Sequence, residues 1–304
     1  MIITALYRAV DSLNVLARIL FLIHYFLPYL SYYGNIDGTH ADIHIICNER
    51  FYYSLLRYCM SLFVLSDLHL STDLQTNKSM EVFGLRWQDY MQKIPKNWNS
   101  IVSENDTVIV PGDISWAMDL EGALADLKYI NSLNGKKLLG KGNHDFWWTT
   151  GKKMTDFFQA HGLDSLSILH NNAYIVEDRI VCGTRGWFPD ESKQTPVNNA
   201  DYAKILNREC IRLRMSLDAA VSLQKTHIEA GGEKLPILVF LHFPPIWNDF
   251  VMRELVDILH EFEIERCYYG HIHNSYATPL TFEFENIKFT ITSSDFLSFY
   301  PLKI

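Results

Sequence analysis

The chain lacks several features that would place it in common classes. Its five cysteines, Cys47, Cys59, Cys182, Cys210 and Cys267, are scattered, and no two form a C-x-x-C pair. That excludes a thiolate zinc knuckle and offers no disulfide framework. The cysteines read as core thiols of a protein in a reducing, cytoplasmic compartment. Basic charge is also short, with Lys and Arg at 27 against Asp and Glu at 35, a net charge of −8. A binder of the nucleic-acid backbone needs a basic surface, so no general nucleic-acid binding is expected. Charge carried by bound metal does not enter this count, so a local positive site is not excluded. The chain has no internal repeat and no low-complexity segment.

A clean membrane span is missing as well. Residues 15–33 are rich in Leu, Ile, Phe and Tyr, but Arg18, His24 and Pro28 interrupt them, and a spanning helix needs about 20 apolar residues with few charges. Asp11 stands where a signal peptide carries positive charge. Residues 1–59 therefore form an extension with two readings. One is a weak membrane-associated segment. The other, which we prefer, is a start assigned too far upstream, with Met60 opening a domain over 60–304.

What is present is a core-forming composition, 48% hydrophobic and 20% charged, that of a globular protein. Apolar runs predict strands over 62–65, 108–110, 137–139, 173–176, 180–182, 237–241 and 267–269. Helices are predicted over 80–94, stopped by Pro95, from 120 to near Gly135 with Leu120, Leu124, Leu127 and Ile130 as one stripe, and over 152–160, 199–230 and 251–262. Residues 281–292 alternate like one half-exposed strand. The order of strands and helices predicts an α/β protein.

Five of these strands run into chemistry-bearing residues: Asp67 and His69; Asp113; Asn143, His144 and Asp145; His242; His271 and His273. Ligands of α/β sheets sit at such strand ends. In Asp67-x-His69 and His271-x-His273 an extended chain would point both side chains one way. Gly112, Gly142 and Gly270 precede ligands where backbone must approach closely. Carboxylates, imidazoles and one amide oxygen, with no thiolate, suit Mn²⁺, Fe²⁺/Fe³⁺ or Zn²⁺ better than Mg²⁺ or Ca²⁺. The set Asp67, His69, Asp113, Asn143, His242, His271 and His273 exceeds what one open ion can use and suits two ions about 3.5–4 Å apart.

Taken in order, Asp67-x-His69, Gly112-Asp113, Gly142-Asn143-His144-Asp145, His242 and Gly270-His271-x-His273 resemble the calcineurin-like metallophosphoesterase family from Met60 onward. The resemblance implies a four-layer α/β/β/α sandwich with a dinuclear site at the C-terminal ends of the strands. It implies Asp67, His69 and His273 on one metal, Asn143, His242 and His271 on the other, and Asp113 between them. It also implies a metal-dependent phosphatase or phosphodiesterase in which metal-bound hydroxide attacks a phosphate ester. Many members carry Glu or Arg after the Asn-His-Asp block, where this chain has Phe146-Trp147-Trp148.

His144 is the expected general acid and Asp145 the residue that orients it. Their plainer roles are a further ligand and a helix cap. Arg185, in a glycine-flanked loop, is either a bidentate phosphate contact or the partner of a carboxylate. Trp116, Trp147, Trp148, Trp187 and Trp247 form either an aromatic rim or loop packing. Two other functions fit the fold. One is a membrane-associated hydrolase of a lipid-linked diphosphate, anchored through 1–59. The other is a non-catalytic scaffold, disfavoured because such a protein is expected to lose ligands and this set is complete.

Overall fold

The computed structural model of the chain describes residues 60–72, 78–187 and 199–304. The readings made for 1–59, a membrane anchor among them, lie outside the described residues. No helix among the described residues is long and apolar enough to cross a membrane.

The strands are β1 (Leu62–Val64), β2 (Thr107–Val110), β3 (Lys136–Leu139), β4 (Leu166–Ile168), β5 (Asn172–Val176), β6 (Arg179–Thr184), β7 (Ile237–Leu241), β8 (Ile246–Trp247), β9 (Phe250–Val251), β10 (Arg266–Tyr269), β11 (Thr281–Phe284), β12 (Ile287–Ile291) and β13 (Leu302–Lys303). The helices are α1 (Tyr90–Ile101), α2 (Leu124–Asn131), α3 (Gly151–Ala160), α4 (Asn199–Glu229) and α5 (Arg253–Glu261). One sheet has the order β13-β1-β2-β3-β4 and a second the order β11-β12-β10-β7-β6-β5, with β8-β9 a separate hairpin. β1 to β4 are parallel, as are β12, β10, β7 and β6. The antiparallel strands β13, β11 and β5 close three of the four edges, and the parallel β4 is the fourth.

Side-chain alternation builds the layers. On β1, Leu62 and Val64 join an inner cluster with Ile109, Val181, Leu238, Phe240 and Tyr268, residues of both sheets. Phe63 and Leu65 face the opposite way, into a cluster with Trp98, Leu127, Ile130, Met154 and Phe158 from α1, α2 and α3. On β7, Val239 and Leu241 pack with Leu213, Leu217, Leu255 and Leu259 of α4 and α5. Strands with both faces buried need apolar residues at every position, which is why they read as unbroken runs. The result is the expected α/β/β/α sandwich.

Three sequence expectations are corrected. Pro95 does not stop a helix; α1 runs through it, after two short 3₁₀ turns at Met80–Phe83 and Leu85–Trp87. Proline has no N–H for the carbonyl four residues back, and the Tyr129 hydroxyl fills that gap, donating to the Met91 carbonyl at 2.6 Å. The α2 stripe begins at Leu124 rather than 120. Residues 281–292 are a hairpin, with Glu285 and Asn286 at φ 48° and 65° in the turn. Paired left-handed residues match the twist of a tight hairpin.

Candidate metal centre

Because β1, β2, β3, β7 and β10 are mutually parallel within their sheets, their C-terminal exits share an edge. The exits remain laced by backbone. Asp67 N–H donates to Gly112 O at 3.0 Å and His69 N–H to Asp113 O at 2.9 Å. His242 N–H donates to Arg185 O, and Gly270 N–H to His242 O, both at 3.1 Å. The two sheets also join here, through Ser66 N–H to Thr292 O at 2.9 Å and Ser294 N–H to Ser66 O at 3.0 Å.

Two groups of donors result: Asp67, His69 and His273, and Asp113, His242 and His271, each with donor atoms within 4.8 Å of one another. His69 Nε2 lies 3.2 Å from His273 Nε2. Asn143 Oδ1 lies 2.7 Å from His242 Nε2, adding the amide to the second group. Asp113 touches both groups, with Oδ2 3.6 Å from His69 Nε2 and Oδ1 3.5 Å from His242 Nε2. Each group draws on both sheets, since Asp67, His69 and Asp113 follow β1 and β2 while His242, His271 and His273 follow β7 and β10.

The same-side argument from extended chain is corrected. Asp67, His69, Asp113 and His271 have φ of 59°, 46°, 51° and 69°, a left-handed backbone that costs a side-chain-bearing residue about 1–3 kcal/mol. His271 and His273 consequently serve different groups. The close approach expected of the glycines is present: a Cβ on Gly142 would overlap Asp113 Oδ1, and one on Gly270 would overlap Asp67 Oδ2.

The donors fit a pair of cations. Metal–ligand bonds of 2.0–2.2 Å put neighbouring donors about 3 Å apart at a right angle, the range found between these atoms. His69 Nδ1 and His242 Nδ1 are buried without a hydrogen-bond partner. Burial holds both rings well below the ordinary imidazole value, so they are neutral and able to ligate. Burial, then the charges of Asp67 and Asp145, pushes Asp113 well above the ordinary carboxylate value. Burial alone would raise Asp67, but the bond and charge of His273 outweigh it and lower the group.

Sequence reading missed Asp295. It lies just past β12, fully buried, and its Oδ1 is 2.7 Å from His273 Nδ1. Burial pulls His273 down, but Asp295 and Asp67 raise it to about 10. Such a carboxylate fixes the tautomer of a ligating imidazole. An Asp with no motif around it carried no signal in the sequence.

The role expected for Asp145 is corrected. Its Oδ1 accepts N–H bonds from Ile114 at 2.8 Å, Ser115 at 3.2 Å and the Trp147 ring at 3.0 Å. Its Oδ2 accepts from Asp113 at 2.9 Å and Gly142 at 2.7 Å. Asp145 therefore clamps the β2 and β3 exits together. Burial still holds its carboxyl above the ordinary value, against the pull of those bonds.

His144 donates its own N–H to Asp113 Oδ1 at 2.8 Å, and its Nε2 is 3.9 Å from Asp113 Oδ2. Its side chain is 35% exposed, against 3% for His69. Arg185 is paired with a carboxylate, one of the two roles expected for it. Its Nη2 is 3.2 Å from Glu209 Oε1, a fully buried carboxylate. Of the tryptophans, Trp116 reaches the site, stacked on His69 at 5.0 Å and 4.3 Å from the His144 ring. Trp147 and Trp187 are buried packing.

A family model described as calcineurin-like phosphoesterase matches residues 60–275, more than half of the chain. No curated protein matches the sequence significantly. Among solved structures, the chain is similar to a protein of unknown function from Aquifex aeolicus, at 13% identity and TM-score 0.38, over 80% of this chain and 95% of that one. It is also similar to the phosphopantetheinyl hydrolase of Mycobacterium tuberculosis, at 14% identity and TM-score 0.45, over 81% and 95%. A third is a protein of Thermus thermophilus, TT1561, at 10% identity and TM-score 0.46, over 77% and 89%.

Proposed function

This chain belongs to the calcineurin-like phosphoesterase family, and from that premise we propose that it hydrolyses phosphate esters with two divalent transition ions, Mn²⁺, Fe²⁺/Fe³⁺ or Zn²⁺, held at the five strand exits. The observation that carries the reading is the pair of donor groups that share contact with Asp113. Asp67, His69 and His273 hold one ion; Asn143, His242 and His271 hold the other; Asp113 lies between them. When bound, two such ions supply positive charge that draws in phosphate and lower the pKa of the attacking water.

The chain's own residues do the rest. With the imidazoles bound as neutral ligands and Asp67 and Asp113 ionised, the loaded pocket would carry a charge of about +2, which favours a phosphate oxyanion. His144, beside Asp113 and open to solvent, protonates the departing alkoxide oxygen. Asp145 acts through the loops it clamps and is a positioning residue. Trp116 keeps the His144 and His69 rings in place and covers that side of the pocket.

The test is turnover of p-nitrophenyl phosphate and of its bis-ester by protein loaded with Mn²⁺, alongside elemental analysis. About two ions per chain, with activity lost in EDTA and regained on reloading, is the expected result. A chain that takes up no transition metal under excess, or takes it up and cleaves neither ester, overturns the reading.

A further inference from the structure

Beside the second donor group, three arginines surround one carboxylate, with a lysine nearby. Glu209 on α4 is fully buried, with Arg212 Nη1 at 2.6 Å, Arg185 Nη2 at 3.2 Å and Arg208 Nε at 3.7 Å from its Oε1. Lys141 stands two residues before Asn143 and is close enough to Arg185 and Arg212 for their charges to repel it. It makes no ion pair among the described residues. The cluster is tied to the candidate metal centre through backbone, since Arg185 O accepts the N–H groups of both His242 and Phe243.

Among the described residues the charges do not balance. Glu209 offsets one of the four. Asp145, the other carboxylate within reach of Lys141, already has both oxygens taken by N–H donors. Arg185 is only 16% exposed and Arg212 31%, so water screens the excess poorly. Arg185 Nε is buried with no hydrogen-bond partner. Among the described residues, His170 also faces these cations and is held neutral by burial and then by the charges of Arg212, Lys141 and Arg185, and His242 of the second donor group, lowered chiefly by burial, feels the Arg185 charge as well. A purely structural ion pair would need one or two arginines on Glu209. It gives no account of Lys141 or of the open guanidinium donor.

We infer that Lys141, Arg185, Arg208 and Arg212 form a second anion subsite beside the metal-ligand groups, and that the substrate carries a second phosphate in addition to the one hydrolysed. Guanidinium forks match the oxygens of a phosphate, and the anion would neutralise the surplus charge. This rests on the phosphoesterase reading for the first phosphate.

The probes are methylphosphonate and a series of α,ω-alkylene bisphosphonates with roughly one to six methylenes, a span chosen to bridge neighbouring phosphate sites. They are titrated calorimetrically into the desalted, Mn²⁺-loaded full chain, with metal content read afterwards to exclude chelation. At least one length should bind fivefold or more tighter than methylphosphonate. Arg212→Gln and Lys141→Gln should each abolish that ratio, and Arg212→Lys should retain most of it. Lys141→Gln breaks no bond to Glu209, so it decides the matter even if Arg212→Gln fails to fold. The subsite is overturned if no length reaches a fivefold advantage, or if the advantage survives in Lys141→Gln. Ester turnover without any bisphosphonate advantage sinks the subsite alone, whereas absence of both turnover and methylphosphonate binding sinks the underlying phosphoesterase reading.

Discussion

Replacing Asp145 by Asn changes one oxygen for an amide nitrogen and leaves the shape intact, yet the structure predicts a large loss of stability. Five N–H groups converge on the carboxylate, three on Oδ1 and two on Oδ2. An amide has one acceptor oxygen and one donor end. If its oxygen takes the Oδ1 place, the Asp113 and Gly142 N–H groups face another donor; the opposite flip strands three. At least two buried donors therefore lose a charged acceptor, at about 1.5–3 kcal/mol each, or roughly 3–6 kcal/mol together. For a domain of this size about 2–4 °C of midpoint accompanies each kcal/mol, so the variant should melt roughly 6–24 °C below the parent. The assay is thermal unfolding of both proteins in EDTA, which keeps any change in metal affinity out of the comparison. A variant melting within about 3 °C of the parent would refute the clamp.

Further outcomes follow from other contacts. His144→Ala should keep two ions per chain and lose about 10²–10⁴-fold in turnover; a variant with full activity removes His144 from the proton transfer. Asp295→Asn should weaken Mn²⁺ binding about 10–100-fold, measured against a competing chelator, because the partner of His273 Nδ1 loses its charge. Tyr129→Phe should cost about 1 kcal/mol in the parent but close to nothing once Pro95→Ala restores an N–H to the Met91 carbonyl, as a double-mutant cycle would read. His170 titrates at about 3 in the folded chain, chiefly through burial and then the charges of Arg212, Lys141 and Arg185. Its folded value lies below its unfolded one, so stability is complete above about pH 6.5 and lost as pH falls toward 3. His170→Gln should flatten the acid limb of a stability–pH curve in that window.

How much of this was legible beforehand depended on the kind of signal. The parallel strands were readable because both their faces are buried, which leaves unbroken apolar runs such as 237–241. The ligand positions were readable because each run ends on or just before a metal-binding residue, three of them through a Gly. Short edge pieces were not: β4, β8, β9 and β13 have two or three residues each, too few to show a period. Pro95 misled because the hydroxyl that replaces its missing hydrogen bond comes from Tyr129, far along the chain. The placing of His271 and His273 in different groups came from the family resemblance, whereas the extended-chain spacing pointed both one way because residue identity does not disclose that His271 turns to positive φ. Asp295 and Glu209 were invisible because their partners are assembled only by the tertiary fold.

The composition of the two donor groups has a mechanical consequence. Each ion would be a rivet driven through both halves of the sandwich, one leg in the β1–β2 exits and the other in the β7–β10 exits. Chelation would then do more than silence chemistry. It would release the two halves from each other at that rim, and amide exchange at Ser66 and Ser294, whose N–H groups cross the seam where the sheets meet, should quicken well before the interiors of either half let go.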